Sequence, residues 1–170
     1  KLANLGGMPI LHRFYDSLEE QLKVWESVGH KNVGISIGVN ENDYDFAKKL
    51  PNDLKIICVD VAHGHHKKCG AMTEFLCRKY PDKLIVAGNV ATSDGASFLS
   101  GYGADLIKTG VGNGSTCSTR VETGNGIPQF SALTDIYCSG FHNLLADGGC
   151  SQAGHIVLAL CFSKIVMLGN

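Results

Sequence analysis

Six short apolar segments recur along the chain, and most are followed by a stretch with helical periodicity. The segments begin near residues 33, 56, 84, 106, 144 and 165. Several carry no alternating polar residue, which is typical of strands buried on both faces. Strands of this kind that alternate with helices predict a parallel sheet covered by helices. Periodicity alone allows either an open doubly wound sheet or a closed (β/α)8 barrel.

Local signals mark the bounds of the first two helices. Ser17 is followed three residues later by Glu20, which is the spacing of a capping box, and Gly29 is a typical helix end. Trp25 recurs with leucines at helical spacing, so we expect it to pack this helix against the sheet. The second helix is predicted over residues 42–50, because a proline follows it.

Polar residues and glycines stand where the predicted strands end. Asp60, Asn89, Asp147 and Gly169 each follow an apolar segment, and the last two turns are rich in glycine. In (β/α)8 barrels the functional side chains lie at the carboxyl ends of the strands, and the last two loops often bind phosphate. A barrel therefore explains the pattern better than an open sheet. No dinucleotide-type glycine turn opens a helix, which argues against a Rossmann domain.

The longest connection contains a cysteine after a run of glycines. Gly110, Gly112 and Gly114 precede Cys117 and Thr119. Glycines allow backbone conformations in which successive N–H groups converge on an anion. A cysteine among such dipoles favours the thiolate, which is its nucleophilic form. The segment predicts a reactive loop, although the glycines alone also fit an exposed turn with an incidental cysteine.

Composition restricts the partners and the compartment. The 170 residues carry a net charge of -1 without charge blocks, so nothing indicates binding to nucleic acid or to an anionic membrane. No apolar run is long enough to cross a bilayer, and no signal peptide is recognisable. Seven cysteines without a Cys-x-x-Cys pair fit a reducing, cytoplasmic compartment. The length predicts a single domain over residues 1–170.

A cluster of histidines raises the question of a metal site. His63, His65 and His66 lie near Cys69 in one predicted loop. Their spacing matches no recognisable zinc ligand pattern. Packing within the loop or exposure to solvent is therefore the simpler interpretation.

Residues 110–129 resemble the active-site loop shared by IMP dehydrogenase and GMP reductase. That loop reads Gly-(Ile or Met)-Gly-x-Gly-x-x-Cys-x-Thr, and the chain matches it from Gly110 to Thr119, with Val111 at the Ile or Met position. Further similar segments, in family order, are 10–13, 60–64, 87–90, 146–149 and 166–169. The resemblance implies a TIM barrel of which this chain holds about seven of the eight strands. The family's first strand and its later flap are then expected outside these residues.

The resemblance also implies the chemistry. Cys117 would be the nucleophile that attacks C2 of a purine nucleotide, and Thr119 would position or activate the water or ammonia that enters or leaves. A hydride would pass between that carbon and a nicotinamide cofactor. The nucleotide would be held by Ser115, Asn89, Asp147, Gly148, Gly149 and Gly169.

Further roles follow from the same resemblance. Ser115 and the glycine N–H groups would hold the phosphate, Asp147 would accept the ribose hydroxyls, and Asn89 would lie near the base. Asp60 would contact the nicotinamide ribose of the cofactor. The carbonyl groups of Gly112, Gly114 and Cys117 would line a potassium site.

Some details are more similar to the reductase than to the dehydrogenase, among them Thr123-Gly124, Ser131-Ala132 and Cys150. They imply reductive deamination of GMP by NADPH, which yields IMP and ammonia through a covalent cysteine thioimidate. The alternative is an IMP dehydrogenase that oxidises IMP to XMP with NAD. A second alternative is a barrel that binds nucleotide without catalysis. The family is usually homotetrameric, which is the assembly expected here.

Overall fold

The computed structural model describes residues 5–29 and 32–168, which form a seven-stranded parallel sheet with helices between the strands. The strands are β1 Ile10–Leu11, β2 Gly34–Ile37, β3 Ile56–Asp60, β4 Leu84–Val90, β5 Leu106–Thr109, β6 Leu144–Asp147 and β7 Ile165–Met167. The helices are α1 Leu18–Val28, α2 Glu41–Ala47, α3 Lys67–Lys79, α4 Ser93–Gly101, α5 Thr119–Thr123, α6 Gln129–Cys138 and α7 Ala153–Leu160.

The strand order decides between the two architectures that the sequence left open. The strands lie in the order β1 to β7, and each is parallel to the next. A doubly wound sheet reverses its order at a switch point, whereas a barrel adds each strand beside the previous one. The part of a (β/α)8 barrel predicted from the sequence is therefore confirmed.

Strands β2 to β6 are largely buried on both faces, as their continuous apolar sequences predict. In β3, Ile57 and Val59 belong to the main core between the sheet and the helices. The alternate residues Ile56 and Cys58 belong to a second cluster on the inner face, together with Leu145 of β6. Because successive side chains of a strand point to opposite faces, one short segment contributes to both clusters.

The first helix follows its sequence signals. Ser17 Oγ accepts from the Glu20 N–H group at 3.1 Å, and Gly29 ends the helix with a φ of 64°. Trp25 is buried, and its ring N–H group donates to the Val33 carbonyl at 2.6 Å. The predicted packing of this helix on the sheet is confirmed.

The second helix is shorter than predicted. It spans Glu41–Ala47 rather than 42–50. It begins earlier because the Asp43 carboxylate accepts from the Asn40 N–H group at 2.8 Å and organises the first turn. It ends earlier because Pro51 disfavours a helical conformation at the preceding residue, so the last residues form a turn.

The register brings the carboxyl ends of four central strands to one side of the sheet. Asp60 is paired with Gly88, Thr109 with Ala146, and Asp147 with Met167. The polar residues that end β3, β4 and β6 consequently lie beside the start of the glycine-rich loop. No helix in the described residues is long and apolar enough to span a membrane.

Candidate active site

The loop after β5 depends on glycine at two positions. Gly110 and Gly112 have φ values of 147° and 72°, which side chains rarely tolerate. A Cβ atom at Gly110 would also collide with the carbonyl oxygen of Asp147. The glycine therefore lets the loop pass directly over the end of β6.

Asn113 ties this loop to its surroundings. Its side-chain amide donates to the Asp147 carbonyl at 2.8 Å and to Gln129 Oε1 at 2.7 Å. Gln129 in turn donates to the Thr109 carbonyl at 2.8 Å, at the end of β5. Asn113 and Gln129 thus connect both ends of the loop to β5, β6 and α6. Sequence alone predicts this role for neither residue.

The loop presents Cys117 to solvent beside Thr119. The Cys117 thiol is exposed, and it donates to Thr119 Oγ1 across 3.2 Å. When the thiol loses its proton, the same hydroxyl can donate to the thiolate. Hydrogen bonds from the Thr119 hydroxyl and then from its N–H group lower the pKa of Cys117 below its ordinary value. The two predicted catalytic residues are therefore in contact, and their contact favours the nucleophile.

Two buried cysteines differ from Cys117 in the direction of their pKa shift. Burial raises the pKa of Cys58 to about 12 and that of Cys69 to about 11, because a thiolate is poorly solvated in the core. Cys117 combines exposure with a lowered pKa, which is the environment of a reactive thiol.

We expect Thr119→Val to slow alkylation of Cys117 at neutral pH. Valine keeps the shape but removes the hydroxyl, so the thiol pKa rises and the thiolate fraction falls by up to about tenfold per pKa unit. The rate with iodoacetamide, followed by peptide mapping across pH, measures the change. The curves of alkylation rate against pH for wild type and Thr119→Val should converge at alkaline pH, where Cys117 is ionised in both proteins.

The matched control for that experiment is Thr116→Val. Thr116 is an exposed threonine of the same loop, one residue before Cys117. Its replacement should leave the alkylation curve unchanged. Superimposable curves for wild type and Thr119→Val would show that the hydroxyl does not tune the thiol.

A second polar group lies at the strand ends, centred on Lys108. Its ammonium donates to Asp60 Oδ1 at 3.0 Å, to Asn89 Oδ1 at 2.8 Å and to Asp147 Oδ2. Asn89 also donates to Asp147 Oδ2 and to the Gly110 carbonyl, each at 2.7 Å. The structure therefore brings Asp60, predicted to contact the cofactor, together with Asn89 and Asp147, predicted to contact the nucleotide.

Lys108 was not among the predicted site residues. It is the only charged residue of β5, Leu106–Thr109, and its side chain is 7% exposed. Burial disfavours its charge, but the carboxylates of Asp147 and Asp60 outweigh that effect and raise the pKa of Lys108 above its ordinary value. The signal in the sequence was a lysine inside an otherwise uncharged buried strand.

Two cavities flank the cysteine loop. One, of about 420 Å³, is lined by Ser115, Asp147, Gly148 and Gly149, four residues predicted to bind the nucleotide, and also by Cys150. Gly148 and Gly149 have φ values of 77° and 73°, so the turn after β6 needs glycine at both positions. Gly169, predicted for the same site, lies outside the described residues.

The other cavity, of about 650 Å³, lies on the side of Thr119. Its walls include the apolar side chains of Val90, Val111 and Ile127, together with His63 and His65. The loop that supplies the two histidines directly follows Asp60. The volume and the largely apolar lining of this cavity are typical of small-molecule sites.

The residues predicted to bind potassium are engaged in other contacts here. The Gly112 carbonyl accepts from Arg120 Nε at 2.5 Å, and the Gly114 carbonyl accepts from the Cys117 N–H group at 3.1 Å. A guanidinium at a carbonyl competes with a metal cation for the same oxygen. In this loop conformation both carbonyls accept from donors of the protein, and the potassium site stays a prediction.

The histidines of the cluster contact other groups of the protein. His66 caps α3 by accepting from the Lys68 N–H group at 3.2 Å, and the His65 ring lies 4.9 Å from that of Phe98. In the described ranges 5–29 and 32–168, no group of three or more His, Cys, Asp or Glu residues is arranged to hold a metal ion.

Comparisons with known proteins identify the family. A family model described as "IMP dehydrogenase / GMP reductase domain" matches residues 1–170. GMP reductases of Aliivibrio fischeri (strain MJ11) and Buchnera aphidicola subsp. Acyrthosiphon pisum (strain Tuc7) are 38% and 37% identical over 179 and 182 residues. Each alignment covers 99% of this chain and 51% of the relative, so the chain spans about half the length of the curated relatives it matches.

A solved structure shares the fold of this chain. The crystal structure of inosine 5′-monophosphate dehydrogenase from Legionella pneumophila is 39% identical in sequence, with a TM-score of 0.89. The match covers 99% of this chain and 52% of that chain. Because the family model spans every residue, the chain belongs to the IMP dehydrogenase / GMP reductase family.

Proposed function

We propose that this chain carries the central part of the active site of a GMP reductase, which converts GMP to IMP and ammonia with NADPH. The observation that carries the proposal is the exposed Cys117, in contact with Thr119, on a loop between two cavities. The relatives named GMP reductase align over 99% of the chain, which supports the same conclusion.

The smaller cavity would take the nucleotide. Asp147 is partly exposed there, and a carboxylate can accept from vicinal ribose hydroxyls. Ser115 and the turn at Gly148 and Gly149 would receive the phosphate, because hydroxyl and backbone N–H groups suit phosphate oxygens. The purine would then extend toward Cys117, near Asn89 at the end of β4.

The larger cavity would take the cofactor, with Asp60 beside its nicotinamide ribose. The apolar walls formed by Val90, Val111 and Ile127 suit a flat, uncharged ring. When bound, the reduced cofactor supplies a hydride to the substrate. The choice of NADPH, the binding of potassium, the homotetramer and the cytoplasmic location form part of this proposal and rest on the resemblance to the family.

Within this arrangement the protein would carry out two steps. The Cys117 thiolate forms a bond to C2 of GMP, and the amino group leaves as ammonia after protonation. Thr119 would orient that leaving group, because its hydroxyl lies next to the sulfur. In the second step, once C2 carried the hydride, the carbon–sulfur bond would break with its electron pair returning to Cys117, so that IMP is released.

The proposal is tested by following cofactor absorbance in potassium buffer with the purified protein. Oxidation of NADPH is expected only when GMP is present, with one IMP and one ammonia formed for each NADPH consumed. A dehydrogenase would instead reduce NAD with IMP, and the Legionella pneumophila dehydrogenase at 39% identity makes this the specific alternative. Nucleotide binding without either reaction would indicate a non-catalytic barrel.

A further inference from the structure

Lys108 has as many acceptors as it has N–H donors. A lysine ammonium carries three donors and no acceptor. In this protein the three acceptors are Asp60 on β3, Asn89 on β4 and Asp147 on β6, while Lys108 itself lies on β5. One buried side chain therefore connects the ends of four neighbouring strands.

Among the contacts of the described residues, each of the two carboxylates keeps one oxygen available. Lys108 binds Asp60 through Oδ1 and Asp147 through Oδ2. Within residues 5–29 and 32–168, no donor is in hydrogen-bond contact with Asp60 Oδ2 or Asp147 Oδ1. The side chains of Asp60 and Asp147 are 28% and 24% exposed, whereas that of Lys108 is 7% exposed. The two carboxylates are thus the parts of the cluster that a ligand can reach.

We infer that Lys108 is a positioning residue, which holds Asp60 and Asp147 so that their available oxygens meet the ribose hydroxyls of the cofactor and the nucleotide. This inference rests on the proposed function, because that function supplies two ribose-bearing ligands. Lys108 contacts neither ligand. It acts on both sites through the two carboxylates.

Electrostatics explain why the ammonium is needed. Two carboxylates near one another repel, and partial burial increases the cost of their charges. Lys108 lies between them and compensates one of the two charges. Arg13 adds a second restraint, because its Nε donates to the backbone carbonyl of Asp60 at 2.9 Å. Without the ammonium, the two carboxylates would lose their shared hydrogen-bond donor and rotate apart.

The test compares nucleotides with and without ribose hydroxyls. In Lys108→Met, calorimetry should show the affinities for GMP and for NADPH each reduced by at least about tenfold, since a hydrogen bond to a charged group is lost on each side. Affinity for 2′,3′-dideoxy-GMP should equal that of wild type, because this nucleotide cannot use Asp147. A general structural defect would weaken both nucleotides alike.

The chain offers a matched control in Lys83→Met. Lys83 is also buried, but it donates to the carbonyls of Asn52 and Leu54 at 2.8 and 2.7 Å, away from the cluster. This variant should lose stability but bind GMP, NADPH and 2′,3′-dideoxy-GMP with the affinities of wild type. If Lys108→Met does not fold, Lys108→Gln retains an amide donor for one carboxylate, and the same hydroxyl-dependent loss is expected.

The outcomes separate the inference from the proposed function. Wild-type protein that binds neither GMP nor NADPH would overturn both. Binding of both ligands by wild type, with undiminished affinity in the Lys108 variants, would overturn the role of Lys108 alone. Equal losses for GMP and its dideoxy analogue would do the same, since the effect would then not pass through the ribose contact.

Discussion

Cys117→Ala is expected to reduce turnover by roughly 10⁴-fold or more, because no covalent bond to the purine can form. Nucleotide affinity should stay close to that of wild type. The predicted nucleotide contacts come from the cavity around Asp147, Gly148 and Gly149, and the exposed thiol is not among its lining residues. Steady-state rates and calorimetry on the same preparation measure both quantities.

The control for this variant is Cys138→Ala. Cys138 is likewise an exposed free thiol, and it ends helix α6 rather than lying in the loop. Its removal should leave turnover and affinity unchanged. Turnover that survives in Cys117→Ala would refute covalent catalysis at this residue, and a parallel loss of affinity would show that the thiol mainly supports the loop.

Gly88→Ala is expected to destabilise the fold by about 3–5 kcal/mol, or to prevent folding. A Cβ atom at Gly88 would lie 2.6 Å from the Cβ atom of Lys108, and it would also collide with the Lys108 carbonyl oxygen. These atoms belong to the backbone and stem of β5 and cannot rotate away. Denaturant titration measures the free energy of unfolding.

Gly101→Ala provides the comparison. Gly101 is the last residue of helix α4, and a Cβ atom there would have no neighbour within 4 Å. Alanine favours the helix over glycine by up to about 1 kcal/mol, so this variant should be as stable as wild type or more stable. If both variants unfold at the same denaturant concentration, the predicted contact between β4 and β5 is wrong.

Much of the fold could be predicted because its signals are local. Continuous apolar segments gave the buried strands, and the positions of Asp60, Asn89 and Asp147 at their ends indicated a barrel. The geometry agrees, since Asn89 and Asp147 are hydrogen-bonded at 2.7 Å. The pairing of Cys117 with Thr119 could also be anticipated, because two residues of separation on one loop keep them close.

Other features depend on packing between distant parts of the chain. Helix α5, Thr119–Thr123, has no buried residue and therefore leaves no periodic apolar pattern. Helix α6 has such positions, among them Leu133 and Ile136, but the sequence analysis had treated this stretch as part of one long connection. The role of Lys108 depends on partners 48 and 39 residues away, which no local pattern reveals.

The residues proposed to bind ribose and the residue proposed to react belong to different kinds of structure. Asp60, Asn89 and Asp147 are strand residues, whereas Cys117 stands on a connecting loop. Mutations in the loop can therefore change the reactive group while the strand residues continue to bind the same ligands.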